Sequence, residues 1–111
     1  MRETIPNNLE QAIEYLDKLL QEEDKVYLFK EYVLDLEKAA LSVHHSLGRW
    51  IRNNWGLWNE EDNELKSNLK KLGYEHPDDM SNYIIEQYLK HLKKNYILRS
   101  IFNTLKEYEK P

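Results

Sequence analysis

The sequence predicts an all-α protein, a compact single-domain bundle of four to five helices with one long central helix. Apolar residues recur at helical rather than alternating spacing, Gly and Pro number only three each, and Asn or acidic residues precede the apolar runs as helix caps. A chain of 111 residues makes one domain with a modest core.

Ile5-Pro6-Asn7-Asn8 reads as a helix entry, an Asn cap with Glu10 or Gln11 three residues on and Ile5 as a hydrophobic staple, opening a first helix over about Leu9 to Gln21. Leu9, Ala12, Ile13, Leu16, Leu19 and Leu20 form one face. After the acidic break near residue 22, the run Val26, Phe29, Tyr32, Val33, Leu36, Ala40, Val43, Leu47, Trp50 and Ile51 keeps one stripe, which predicts a single long helix to about Asn54. Gly48 sits inside it. A glycine there costs about 1 kcal/mol relative to Ala, so something approaches the backbone closely, either a crossing helix or a ligand.

Trp55-Gly56-Leu57-Trp58 ends the pattern, and Asn59 followed by Glu60, Glu61 and Asp62 predicts the cap of a short helix whose buried side is Leu65, Leu69 and Leu72, closed by Gly73. His76-Pro77-Asp78-Asp79 opens the next helix, with Pro in the first turn and acids favoured by the dipole. Met80, Ile84, Ile85, Tyr88, Leu89 and Leu92 are its buried face. Beyond Lys94 the stripe moves to Ile97, Ile101 and Leu105 on another side, which predicts a kink or a fifth helix near Asn95. That segment either folds back on the core or offers Ile97, Ile101, Phe102 and Leu105 to another chain, a route to a homo-oligomer.

Composition excludes several classes. With 16 Lys and Arg against 20 Asp and Glu, net charge −4, no global basic field draws the protein onto double-stranded nucleic acid, so any anion site is local. Without cysteine there is no disulfide and no thiolate metal site. The start MRETIPNNLEQ has no apolar signal region and no run is long enough for a membrane span, so a cytoplasmic location is expected.

The richest stretch is HHSLGRWIRNNWGLW, His44 to Trp58. On a regular helix Val43, Leu47, Trp50 and Ile51 face the core, whereas His45, Arg49 and Arg52 share the opposite side and His44, Gly48 and Trp55 lie between. Two guanidiniums, His44, His45 and the amide of Asn53 suit a carboxylate or phosphate, and the faces of Trp55 and Trp58 suit a base or a cation. A solvated helix end and ordinary core tryptophans are the plain alternatives. His44 and His45 point apart and His76 and His91 stand alone, so no metal and no cofactor is expected. His76 with Asp78 and Asp79 has the residue types of acid-base chemistry, but helix capping explains them as well, and no nucleophile elbow, P-loop or dinucleotide motif is present. Glu31, Asp35 and Glu37 with Tyr27 and Tyr32 read first as a solvated helix face, with a protein-partner surface as the alternative.

The motifs LGRWIRNNWGLW and HPDDMS, with His44 before them, resemble a family of small bacterial and phage-associated helical domains of unknown function. The resemblance covers about residues 5 to 92 and leaves a helical extension over about 93 to 111. It implies that His44, Arg49, Arg52, Asn53, Trp55, Trp58, Asp78, Asp79 and Ser81 matter most, and it supplies no activity. If both motifs are signatures, Arg49 or Arg52 is placed to bridge Asp78 or Asp79 as a structural lock. The expected function is a non-catalytic binding protein, of the kind a bacterial immunity or phage anti-defence factor requires, holding a protein partner or an anionic nucleotide-like ligand through His44 to Trp58. An enzyme on a phosphorylated substrate using His44 or His76 with Asp78 and Asp79, and a structural adaptor built on the last helix, are the alternatives.

Overall fold

A computed structural model describes residues 5–109. The described residues form six α-helices, α1 (Leu9–Leu19), α2 (Glu22–Leu34), α3 (Leu36–Ser42), α4 (Arg49–Asn54), α5 (Glu64–Lys71) and α6 (Pro77–Glu109), with a π-helical turn at His44–Gly48 between α3 and α4. The helical class is as the sequence predicts. The helix count is higher, and the long helix is the last one rather than a central one.

An Asn caps α1 as expected, and of Asn7 and Asn8 it is Asn8, its Oδ1 accepting the Gln11 N–H at 2.9 Å. The predicted helix from Val26 to Asn54 is divided in two ways. At Asp35 the backbone becomes extended, with φ −166° and ψ 114°. Its N–H still closes α2 on the Glu31 carbonyl, while its Oδ1 accepts the Lys38 N–H at 3.2 Å and starts α3. One aspartate therefore ends one helix and caps the next, without the Gly or Pro that usually marks a break. At the π turn the Gly48 N–H reaches back five residues to the Val43 carbonyl at 2.9 Å. The extra residue in that turn puts every later side chain out of phase by about 100° relative to a regular helix.

Asn63, not Asn59, caps α5: its Oδ1 accepts the Lys66 N–H at 2.8 Å while its Nδ2 donates to the Trp55 carbonyl. Leu65 and Leu69 are buried, whereas Leu72, at the helix end, is exposed. Gly56, with φ 69°, lets the chain turn sharply after α4, so that Trp55 and Leu57 both enter the core.

The spine of the core is the first half of α6. Met80, Ile84, Ile85, Tyr88, Leu89 and Leu92 are all buried, and around them pack Ala12 and Leu16 of α1, Leu28 of α2, Ala39 and Ala40 of α3, and Ile51 of α4. No separate helix begins near Asn95: α6 is continuous through it. The helix runs 33 residues, about 50 Å at 1.5 Å per residue. Its length explains a shape of 61 × 30 × 27 Å and a radius of gyration of 16.0 Å, against about 13 Å for a spherical chain of this size. No helix among the described residues is long and apolar enough to cross a membrane.

Candidate functional site

The two motifs meet where the π turn and α4 pack on the first turns of α6. The phase shift of the π turn rotates Arg52 from the solvent side, where a regular helix would place it, to the side facing α6. There it is 5% exposed. Its Nη1 donates to Ser81 Oγ at 2.8 Å, its Nη2 to the His44 carbonyl at 3.2 Å, and its Nε lies 3.4 Å from Asp78 Oδ1. The guanidinium thus ties three points of the backbone together: the π turn, α4 and the start of α6.

Gly48 makes room for it. A Cβ at that position would lie 2.9 Å from Arg52 Nη1 and 3.7 Å from Ile85 Cδ1. The close approach inferred at Gly48 is therefore made by the arginine one turn later, with α6 behind it. Ser81, fully buried, relays the contact by donating its own hydrogen to the Asp78 carbonyl at 3.1 Å. Asn82, which sequence reasoning passed over, holds the His44 ring through Oδ1 and Nδ1, 3.1 Å apart. Asp78, Ser81 and Asn82 are spaced i, i+3 and i+4, so the helical period contained the signal for a polar face on α6 directed at the His44 motif.

His76 caps α6: its Nδ1 accepts the Asp78 N–H at 3.0 Å, and its backbone carbonyl takes the Met80 N–H. Its lone pair is engaged in the cap, which opposes use of His76 as a base. His44 Nε2 stands 3.9 Å from Asp78 Oδ1, beyond hydrogen-bond reach, and Asp79 is exposed in the first turn. No nucleophile and base are paired here, and no group of three or more His, Asp or Glu among the described residues is arranged to hold a metal ion.

The remaining expected ligand residues separate. Trp55 is core, packed edge-on against Trp50 at 5.7 Å and Tyr15 at 5.5 Å. It does not wall a ligand space. Trp58 is exposed and meets the His76 ring edge-on at 5.8 Å. His45, Arg49 and Asn53 lie in the open along the outer side of the π turn and α4. No buried side-chain nitrogen or oxygen among the described residues lacks a hydrogen-bond partner, so no orphaned donor inside the Arg52 network awaits an anion. The motif does border a recess on its apolar side: a cleft of about 510 Å³ between Leu19, Leu20 and Tyr27 on one wall and Val43, Leu47 and Trp50 on the other.

A family described as a domain of unknown function, DUF6794, matches residues 5–92. The chain belongs to this family. No curated protein and no solved structure matches it. The family region ends at Leu92, which is also the last buried residue of α6 among the described residues. The DUF6794 region is therefore the bundle, including both motif turns, and beyond Leu92 the helix continues past the core.

Proposed function

We propose that the protein is a non-catalytic interaction domain, in which the DUF6794 bundle holds α6 rigidly and the projecting part of α6 docks on another helical chain. The observation that carries this reading is the stripe Ile97, Leu98, Ile101, Phe102 and Leu105, each between 45% and 57% exposed, continued by Tyr108. Projected at 100° per residue, these six side chains fall within an arc of about 140°, centred roughly 160° from the core-facing Ile85, Tyr88, Leu89 and Leu92. The stripe thus points away from the bundle, and no helix among the described residues covers it.

The helix is also braced for presentation. Tyr96 packs on Phe29 of α2 at 4.8 Å and its hydroxyl donates to Glu22 Oε1 at 3.0 Å; Lys93 sits over the Tyr32 ring. The Tyr96 contacts lie on the side opposite the stripe, and Lys93 flanks its edge next to Ile97. A contiguous apolar face left in water on a stiff support is the signature of a protein–protein surface. An anionic ligand is the weaker reading, because Arg52, its strongest expected contact, is engaged internally on all three guanidinium nitrogens.

The test is the pair of substitutions Ile101→Lys and Leu105→Lys. The double variant is expected to keep the helical content of the parent protein, since neither side chain supports the core, and to lose the association that native mass spectrometry is expected to find for the parent. A variant that unfolds would mean that the stripe belongs to the intramolecular core, and an association that survives would place the docking surface elsewhere.

A further inference from the structure

We infer that the chain covering the stripe is a second copy of this protein, with the two α6 projections paired antiparallel about a two-fold axis. This rests on the reading of α6 as a docking element and names its partner. Leu98, Ile101, Leu105 and Tyr108 are spaced three, four and three residues apart, the seam spacing of a two-helix coil, flanked by Ile97 and Phe102. Antiparallel pairing sets Leu98 against Tyr108 of the partner and Ile101 against Leu105 of the partner, so the seam matches itself under a two-fold axis.

Charge selects the direction. Lys94 falls within the same arc, one turn before the stripe begins, and is exposed. In a parallel pair two Lys94 ammonium groups meet across the seam. In the antiparallel pair they stand about 27 Å apart along the axis, at 1.5 Å per residue, each beyond the partner's Tyr108 toward the carboxyl end of α6, where helix carbonyls favour a cation. The area suffices as well. Six large side chains about half exposed offer on the order of 100 Å² apiece, so two stripes hide roughly 1,200 Å², above the ~1,000 Å² that a specific interface requires.

The absence of cysteine from the sequence makes the register directly measurable. Sedimentation of the purified full-length chain, which needs no substitution, is expected to give twice the monomer mass at micromolar concentration, and Ile101→Lys with Leu105→Lys to weaken the dimer at least 100-fold. Chains carrying Leu98→Cys and Tyr108→Cys, mixed and oxidised, are expected to give the mixed disulfide in excess over either like-with-like product. Like-with-like products in excess overturn the antiparallel arrangement. A monomer at several hundred micromolar overturns self-pairing. If that monomer still binds a different protein in a stripe-dependent way, the docking reading stands without this inference; if its binding ignores the stripe, both fall.

Discussion

The Arg52 guanidinium occupies the space in which a side chain at Gly48 would begin, 2.9 Å from the place of the missing Cβ. A contact with the far end of a flexible side chain is ordinarily cheap to relieve, but this one is pinned by Ser81, His44 and Asp78. Gly48 has ordinary helical dihedrals, φ −59° and ψ −45°, so alanine would by propensity gain about 1 kcal/mol there. We expect Gly48→Ala to destabilise the protein by about 1–2 kcal/mol in denaturant titrations, because the guanidinium must leave buried partners. In an Arg52→Met background the same change becomes neutral or stabilising. A gain in stability on the parent background would show that Arg52 is not held as described.

The members of the network contribute unequally because they differ in burial. Arg52→Ala removes a buried cation and its packing, with an expected loss of about 3 kcal/mol. Ser81→Ala strands Nη1 without its acceptor and is expected to lose about 1–3 kcal/mol. Asp78, whose side chain is 45% exposed, contributes less: Asp78→Ala should lose about 1 kcal/mol, since water replaces part of the pairing. Thermal unfolding that ranks Asp78→Ala above Arg52→Ala would contradict this order.

The break between α2 and α3 depends on one side chain. Asp35→Ala leaves the Lys38 N–H without its acceptor and should cost about 1 kcal/mol, whereas Asp35→Asn, which keeps a capping oxygen, should cost a few tenths. Equal stability of the two variants would remove the cap as the cause.

Two groups set opposite pH limits. Burial, and then the Asp17 carboxylate 3.1 Å from its hydroxyl, push the Tyr88 phenol well above its usual 10.0. An acid whose folded pKa is raised lends stability that is complete below the unfolded value and lost as pH rises above it. Stability should therefore fall above about pH 10, and Tyr88→Phe should flatten that decline at a neutral-pH cost of about 1 kcal/mol, since Lys25 still pairs with Asp17 at 3.3 Å. At the other end, the hydrogen bond from Lys70 leads in holding the Asp62 carboxyl below its usual 3.8. Its support of α5 is present above that value and is lost as pH falls through the lowered one, a loss that Asp62→Asn should abolish. An unchanged alkaline slope in Tyr88→Phe would remove Tyr88 as its source.

Much of the architecture is legible in the residues alone. The helical class, an Asn cap at Asn7-Asn8, the Pro77 start of α6 and the inward set Met80, Ile84, Ile85, Tyr88, Leu89 and Leu92 follow from local spacing, because a helix's own period dictates which of its sides can be buried. Tertiary contacts decided the rest. Asp35 divides a stripe that reads as unbroken, since one cap and continued helix differ by only about 1 kcal/mol and packing on α6 settles the choice. The π turn resets the phase after Val43, so Arg52 enters the interior to meet Ser81, a residue 29 positions away, while Arg49 stays in water. The change of apolar side after Lys94 signals a bend only if one molecule must cover both sides. In the fold α6 is one continuous helix, α2 packs on it through Tyr96, and the second apolar side is exposed.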